Sequence, residues 1–296
     1  MPQSDRSRRR TTRSVWTVLA ALVIPFIAPS TPAQADTACT TPSVSNYHVD
    51  DEGQLRRWTY TAPLTGDATW QQTSIAPSWS AAKTISGGDG VLFTITPSGA
   101  LRWHKDNNYN GVGGASWHTS SGATIGTDWS EFTTVVAGGD GVLYAVDSNG
   151  RLYWYRYLGT AGEFSWANGG VGRLLGTGWG TFPRIAAGGN GILYAVTSTG
   201  QLRWYRHLSP TGGNASWANG GIGTTVGTGW GGFTKLVSFG AGVLLGRNST
   251  GTVNWYRHLD PLTGTGTWAN NGVGLPQGTG WNDNEIVADV SGCRIT

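Results

Sequence analysis

The stretch "SWANGGVGRLLGTGW", from Ser165 to Trp179, is the first of three closely related copies in this chain. It returns as "SWANGGIGTTVGTGW" at 216–230 and as "TWANNGVGLPQGTGW" at 267–281. Each copy keeps two tryptophans, one asparagine and a set of glycines, while the residues between them vary. Recurrence at a fixed spacing indicates a repeat architecture, so the period of the whole chain has to be established first.

The tryptophans define that period. Trp16 lies near the N-terminus, and the other fifteen fall into three columns of five. The columns are Trp58, Trp103, Trp154, Trp204 and Trp255; then Trp70, Trp117, Trp166, Trp217 and Trp268; then Trp79, Trp129, Trp179, Trp230 and Trp281. The third column advances by 50 or 51 residues at each step, which predicts five units of about 50 residues.

Each unit has the pattern of a small β-sheet. In the unit that begins at Phe182, "ILYAV" and "QLRWYRHL" are rich in aromatic and β-branched residues and are separated by the turn "TSTG" at 197–200. Such runs between glycine turns predict strands. Repeats of 40–50 residues with four strands each are typical of propeller blades. We therefore predict an all-β, five-bladed β-propeller of four-stranded blades; an open β-solenoid is the alternative.

The two ends of the chain complement each other. The last unit stops after "NEIVAD" (284–289), whereas the first unit lacks the strand that this run represents. We expect the C-terminal strand to join the N-terminal blade and close the ring, which removes exposed sheet edges. Cys39 and Cys293, the only cysteines, flank this junction. In an exported protein they predict a disulfide, the alternative being two buried thiols.

Residues 1–35 have the layout of a signal peptide. Five arginines precede the apolar run "VWTVLAALVIPFI" (15–27), and small residues at Ala33 and Ala35 predict cleavage after Ala35. A membrane anchor is the alternative, but the run is shorter than the roughly 20 residues that a span requires. The mature domain, 36–296, has 15 basic and 16 acidic residues. We therefore predict a secreted protein whose mature domain has no membrane span and no affinity for nucleic acid. The export route, general secretory or twin-arginine, is left open.

The repeated motifs resemble the tachylectin family of secreted five-bladed propeller lectins. The turns "GTGWGTF" (176–182) and "GTGWGGF" (227–233) and the strand "LYAV" at 143–146 and 193–196 are similar to that family's blade motifs. The resemblance extends over essentially the whole mature chain. It implies binding of N-acetylated amino sugars, such as N-acetylglucosamine, with one site per blade and no catalysis. The Asp-Asn pair that the family tends to carry before the second tryptophan is missing, which leaves the exact sugar open.

Units three to five share residues that units one and two lack. A pyranose has an apolar face and a rim of hydroxyls, which suit aromatic rings, amides and forked cationic donors. The predicted carbohydrate-binding residues are Tyr155, Arg156, Trp166, Asn168, Tyr205, Arg206, Trp217, Asn219, Tyr256, Arg257, Trp268 and Asn270. The alternatives are a cation–π ladder between blades for the Tyr-Arg pairs and a turn cap for the asparagines. We expect three intact sites and two degenerate ones.

The sequence offers little for catalysis. Glycosidases need two converging carboxylates, but Asp50, Asp89, Asp140 and Asp147 lie in predicted turns, and Asp283 and Glu285 are the least explained of the acids. The five histidines are scattered. We therefore expect no enzymatic activity, metal or cofactor, and we expect glycans as partners. The alternative function is a non-catalytic propeller scaffold that binds proteins through one asymmetric patch.

Overall fold

The computed structural model describes Met1 and residues 36–79, 81–111 and 113–296. The signal peptide predicted for 1–35 therefore lies outside the described residues except for Met1. The chain divides into two units after Ala33, and all that follows concerns residues 36–296. No helix in the described part of the chain is long and apolar enough to cross a membrane.

Tight turns with left-handed residues set the strand order within each blade. In the "GGDG" turn of the third unit, Asp140 has φ 52° and Gly141 has φ 76°, a region that aspartate tolerates and glycine adopts freely. At the other end of the same hairpin the Asp147 carboxylate accepts the backbone N–H groups of Asn149 and Arg151, and Gly150 has φ 73°. Both turns reverse the chain, so successive strands pair antiparallel.

The described residues form strands and short 3-10 turns. The strands are β1 (Thr37–Cys39), β2 (Val44–Val49), β3 (Leu55–Tyr60), β4 (Trp70–Ala76), β5 (Lys83–Gly88), β6 (Val91–Ile95), β7 (Leu101–Lys105), β8 (Ala123–Gly126), β9 (Phe132–Gly139), β10 (Val142–Asp147), β11 (Leu152–Arg156), β12 (Arg173–Gly176), β13 (Arg184–Ala187), β14 (Ile192–Val196), β15 (Leu202–Arg206), β16 (Thr224–Gly227), β17 (Phe233–Gly240), β18 (Val243–Asn248), β19 (Val253–Asp260), β20 (Thr265–Trp268), β21 (Leu275–Gly278), β22 (Glu285–Ala288) and β23 (Cys293–Ile295). The 3-10 turns are Trp129–Glu131, Ala167–Gly170, Trp179–Thr181, Ala218–Gly221, Trp230–Gly232 and Ala269–Gly272.

These strands make five blades, and the predicted five-bladed β-propeller is confirmed. Blade I contains β22, β2, β3 and β4; blade II contains β5 to β8; blade III contains β9 to β12; blade IV contains β13 to β16; and blade V contains β17, β18, β19 and β21, with β20 also paired to β19. The innermost strands, β22, β5, β9, β13 and β17, contact one another in a ring around a central cavity of about 200 Å³.

The ring closes where the sequence predicts. Strand β22 pairs antiparallel with β2, with Val49 opposite Glu285 and Asn46 opposite Ala288, so the C-terminal strand completes the N-terminal blade. The Cys39–Cys293 disulfide is present, and it joins β1 to β23 in a separate two-stranded sheet. The described part of the chain has no free cysteine.

The segment 289–293 acts as a plug at one end of the central cavity. A Cβ atom added to Gly88 of blade II would collide with Ser291, and one added to Gly240 of blade V would collide with the carbonyl of Cys293. The glycines that recur before each inner turn therefore allow the C-terminal segment to approach. Asp289 of the plug accepts the backbone N–H groups of Asp89 and Gly90, which joins the plug to blade II.

The first predicted tryptophan column is wrong at one member, Trp58, by one position. Arg57 pairs with Tyr47 in blade I as Trp154 pairs with Tyr144 in blade III, so Trp58 is not the equivalent of Trp154. Trp58 instead occupies the place of Tyr155. The distance from the hairpin glycine contains the signal: Trp154 is four positions after Gly150, but Trp58 is five positions after Gly53.

Candidate functional site

Five aromatic clefts lie between neighbouring blades. Each contains the tryptophan that precedes the inner strand of one blade and the tryptophan after that blade's third strand. In blades III, IV and V a tyrosine from the third strand completes the group. The ring centroids of the two tryptophans are 5.8 Å apart for Trp129 and Trp166, 5.7 Å for Trp179 and Trp217, and 5.6 Å for Trp230 and Trp268. The cleft is thus built the same way three times.

The second-column tryptophans hold adjacent blades together. The indole N–H of Trp166 donates to the carbonyl of Ile125 in the outer strand of blade II, at 2.7 Å. The equivalent bonds of Trp217 and Trp268 reach the carbonyls of Leu175 and Val226, at 3.1 and 2.6 Å. Because these N–H groups already have partners, the tryptophans can offer a ligand only their ring surface, and Trp166 is itself buried.

The tyrosines pack tightly inside the clefts. The Tyr155 ring lies 4.8 Å from Trp129, and a Cβ on Gly172 would stand 2.5 Å from its Cζ. Gly223 and Gly274 have the same relationship to Tyr205 and Tyr256. The last glycine of "NGGVG" is therefore required by a ring contact. Burial is the main cause that raises the pKa of Tyr155 to about 12, so the phenol stays protonated at neutral pH.

The three asparagines form exposed turns beside the clefts. Asn168, Asn219 and Asn270 have φ values of 56°, 52° and 51°, and each backbone carbonyl accepts the N–H three residues later. The Asn168 side chain donates to the carbonyl of Val171 at 2.8 Å. This is the turn-cap geometry that the sequence left open as the alternative. Within the described residues no donor reaches the Oδ1 atom of any of the three asparagines, which leaves that acceptor accessible to a ligand.

Sequence reasoning missed the apolar side chains that follow these asparagines. Val171, Ile222 and Val273 are 66%, 75% and 68% exposed, although β-branched residues of a propeller are normally buried between sheets. Each belongs to the turn whose asparagine accepts its backbone N–H. The available signal was their position between two glycines in "G[VI]G", outside any alternating strand pattern.

The structure separates the arginines from the rest of the predicted site. Side chains alternate across a strand, so Arg156 and Tyr155 project from opposite faces of β11. The Arg156 guanidinium donates to the carbonyl of Thr211 in the next blade, at 3.1 Å. Arg206 and Arg257 similarly reach Leu262 and Leu64, at 2.9 and 3.3 Å. The cation–π contacts of the described residues involve other side chains, so the alternative interpretation of the Tyr-Arg pairs, a ladder between blades, is not formed there.

Blades I and II keep the aromatic cleft but not the surrounding turn. In blade II His104 replaces the tyrosine and lies 4.6 Å from Trp79. The smaller ring leaves a cavity of about 440 Å³ beside Trp79 and Trp117. Burial lowers the pKa of His104 to about 4, so the imidazole is neutral at physiological pH. In blade I, Trp58 stands 5.6 Å from Trp281 and fills the corresponding space.

The two acids without a role in the sequence are used in the seam of the ring. Asp283 bonds to His48, and Glu285 lies in β22, where burial raises its pKa. Within the described residues no group of three histidine, cysteine, aspartate or glutamate side chains is arranged to hold a metal ion.

Comparison with known proteins places the chain in a family. Residues 48–286 match the family model described as Tachylectin. No curated protein matches the sequence. A solved structure from work on the de novo evolutionary emergence of a symmetrical protein is 22% identical, with a TM-score of 0.54, and the alignment covers 82% of this chain and 97% of that one. That likeness concerns the fold alone.

Two further structures are more distant. A triple arginine-to-alanine mutant of AofleA from Arthrobotrys oligospora is 10% identical, with a TM-score of 0.45 and coverage of 86% and 89%. Regucalcin, a calcium-binding protein from Agrobacterium tumefaciens, is 13% identical, with a TM-score of 0.37 and coverage of 73% and 72%. The family model matches most of the length of this chain. The chain therefore belongs to the Tachylectin family and, at the level of that family, is a carbohydrate-binding lectin.

Proposed function

We propose that this protein is a secreted, multivalent lectin with three equivalent sites, on the exposed turns of blades III, IV and V. The ligand is an N-acetylated amino sugar, such as N-acetylglucosamine, on cell-wall or surface glycans. One observation carries the proposal: three successive blades present the same asparagine and the same exposed β-branched side chain beside an aromatic cleft. Family membership favours binding over catalysis.

The chemistry of the turn suits an acetamido sugar. The methyl group of an N-acetyl substituent is apolar and can cover Val171, which is otherwise 66% exposed. The adjacent amide N–H or a ring hydroxyl can donate to the Oδ1 atom of Asn168. The rings of Tyr155 and Trp166 contact each other and support the turn, and Arg156 donates to the carbonyl of Thr211 in the loop of the next blade. The same assignment applies to the equivalent residues of blades IV and V.

Three shallow sites on one rigid ring gain strength through avidity. Simultaneous engagement of linked sites can raise the apparent affinity by about 10²–10⁴ without any new contact. Such a gain requires a surface that displays many copies of the sugar. Cell-wall and cell-surface glycans meet this requirement.

Export through a signal peptide cleaved after Ala35 is part of the proposal. The Cys39–Cys293 disulfide supports it, because disulfides persist in oxidising compartments. The intact mass of the protein recovered from the culture medium tests it. A mature chain that starts at Asp36 is expected, and a retained N-terminus would contradict the assignment of residues 1–35.

A glycan panel tests the binding function. The secreted protein is applied to immobilised N-acetylglucosamine polymers, cell-wall fragments and unrelated glycans, and free sugar is used as the competitor. The triple variant Asn168→Gly, Asn219→Gly, Asn270→Gly keeps the left-handed turns, because glycine adopts them freely, but removes all three amides. Binding by the parent protein is expected to be lost in this variant.

Asn271→Gly is the matched control, because Asn271 has φ 53° in the same turn but lies outside the predicted set. It should bind like the parent. Equal loss in the control and in the triple variant would contradict the assigned roles. A folded parent that binds no glycan of the panel would overturn the lectin proposal and favour the scaffold alternative.

A further inference from the structure

A second kind of cavity lies at the boundary of blades II and III, at the end where the inner turns and the plug are. It encloses about 500 Å³. Blade II contributes Trp103 and Lys105, and blade III contributes Arg156 and the first residues of the loop 157–165. The three sites proposed above lie on the turns after the second-column tryptophans, so the two kinds of site are distinct.

Trp103 is the exception among five equivalent buried positions. Trp154, Trp204 and Trp255 donate their indole N–H to the carbonyls of Pro210, Pro261 and Pro63 in the loop of the next blade. Arg57, at the same position of blade I, donates to the carbonyls of Gly111 and Gly113 in the loop of blade II. Trp103 is 1% exposed, yet its N–H has no acceptor within the described residues. The cavity lies where the next blade's loop would otherwise supply one.

The loop of blade III packs Gly162 against the Trp103 ring but places no acceptor at the indole N–H, and its own contacts hold it in this conformation. The Glu163 carboxylate accepts the backbone N–H groups of Thr160 and Ala161, at 3.0 and 2.8 Å. Its backbone carbonyl accepts the hydroxyl of Tyr157 at 2.9 Å. The loop also lacks the proline whose carbonyl accepts the equivalent indole N–H in the loops of blades I, IV and V. The cavity is therefore formed in advance and does not depend on a movement of the loop.

The wall of the cavity combines an aromatic floor with two cationic side chains, Lys105 and Arg156. Phe93 and Tyr157 contribute aromatic surface beside Trp103. Asp89 and Asp140 also line it, but Arg294 lies 2.6 Å and 3.4 Å from their carboxylates and pairs with both. Lys105 and Arg156 bond to the backbone carbonyls of Asp89 and Asp140 and retain further donor hydrogens. Asp289 and Glu163 are further carboxylates beside this wall, so Lys105 and Arg156 contribute directed, charge-assisted donors and not a net positive charge.

We propose that this cavity is a separate binding site for a saccharide residue that bears a carboxylate. The sugar ring covers the aromatic floor, and its carboxylate accepts hydrogen bonds from Lys105, Arg156 and the indole N–H of Trp103. The site occurs once among the described blades. The loops of blades I, IV and V place a proline carbonyl on the neighbouring indole N–H, and the loop of blade II places the carbonyls of Gly111 and Gly113 on Arg57, but the loop of blade III supplies neither. The site does not depend on the three amino-sugar sites.

Calorimetric titration with two matched probes tests the proposal: a disaccharide that ends in glucuronic acid and its counterpart that ends in glucose. The acidic probe should bind to the parent protein at least about tenfold more tightly, as expected for one charge-assisted hydrogen bond. Lys105→Gln should remove that preference. Arg151→Gln changes the net charge equally at the far end of blade III, where Arg151 pairs with Asp147, and should preserve it.

A second variant separates loss of the site from loss of the fold. Thr160 lines the cavity, and Thr160→Trp places an indole inside it while keeping the backbone bond to Glu163. Binding of the acidic probe should disappear at an unchanged unfolding midpoint. The triple asparagine variant should still bind the acidic probe, even if the lectin proposal fails. Equal affinities for the two probes, or equal effects of Lys105→Gln and Arg151→Gln, would overturn the proposal.

Discussion

The Nδ1 atom of His48 lies 2.6 Å from the Oδ2 atom of Asp283, and this contact crosses the seam where the last inner strand joins the first blade. His48 is fully buried, and its Nε2 atom bonds to Asn46 at 2.9 Å. Burial lowers the pKa of His48 more than the neighbouring carboxylate raises it, so the ring is neutral at pH 7 and donates to Asp283. The propeller is thus closed by an oriented hydrogen bond as well as by a strand and a disulfide.

Asp283→Ala should destabilise the protein by about 1.5–3 kcal/mol at pH 7, because it leaves the buried Nδ1–H group of His48 without its charged acceptor. Burial by itself would raise the pKa of Asp283, but the hydrogen bond from His48 and the charge of Arg56 together lower it. The contribution is therefore complete above the ordinary aspartate pKa and is lost as the pH falls below it. Urea unfolding of both proteins at several pH values should show the difference shrinking below about pH 4. A difference independent of pH would contradict the ionised bond.

Reduction of the Cys39–Cys293 disulfide should lower stability by roughly 5 kcal/mol, because the bond closes a loop with a sequence separation of 254 residues. The double variant Cys39→Ala, Cys293→Ala should unfold at the same lower urea concentration whether or not reductant is present. The plug bears on the inner turns of several blades, so we also expect amide exchange at Gly88 and Gly240 to rise first. Unchanged unfolding on reduction would show that the plug holds without the disulfide.

The architecture was predictable because its determinants are local and repeated. Turn glycines, strand composition and the complementary chain ends are visible in the sequence, and each recurs or has a unique partner. The error at Trp58 shows the limit of this reasoning: a tryptophan was used as the marker of a column, whereas the backbone register is set by the hairpin glycine at Gly53. Arg57 occupies the tryptophan position through a buried pair with Asp106, which no residue-type pattern predicts.

The candidate site was predictable only in part because it depends on side-chain direction. Adjacent letters such as Tyr155 and Arg156 suggest one site, but strand alternation sends them to opposite faces. The exposure of Val171 and the missing acceptor of Trp103 depend on what the neighbouring blade supplies. Contacts between blades join residues about 40 to 60 positions apart, as in the bonds of Trp166 and Trp154, and no local pattern encodes them.

The plug should make stability depend on pH through Asp289. Its carboxylate is 1% exposed, and burial, followed by the charge of Asp89, raises its pKa to about 6. A raised acid pKa means that the folded state retains the proton while the unfolded state releases it, so stability falls as the pH rises from about 4 to 6. The shift corresponds to about 3 kcal/mol.

Asp289→Asn removes this contribution. The variant also loses an acceptor for the N–H group of Gly90, but that cost does not change with pH. Stability of the parent relative to the variant should therefore decline by about 3 kcal/mol between pH 4 and 6. Urea unfolding at half-unit intervals measures it, and histidines that titrate in the same window cancel in the difference. Asp89→Asn should move the decline to lower pH; parallel curves for parent and Asp289→Asn would contradict the assignment.

Gly172→Ala tests whether the repeated glycine is required by the tyrosine ring. The added methyl group would stand 2.5 Å from Cζ of Tyr155, so the ring must leave its place between Trp129 and Gly172. Displacing a packed side chain typically costs about 1–3 kcal/mol. Gly232→Ala is the matched control, because its methyl group would meet nothing within 4 Å and its backbone is not left-handed. We expect Gly172→Ala to lower the unfolding midpoint and to weaken glycan binding by one of the three sites, with Gly232→Ala unchanged in both. Equal stability of the two variants would show that Tyr155 can move without cost and that the glycine is kept for the turn alone.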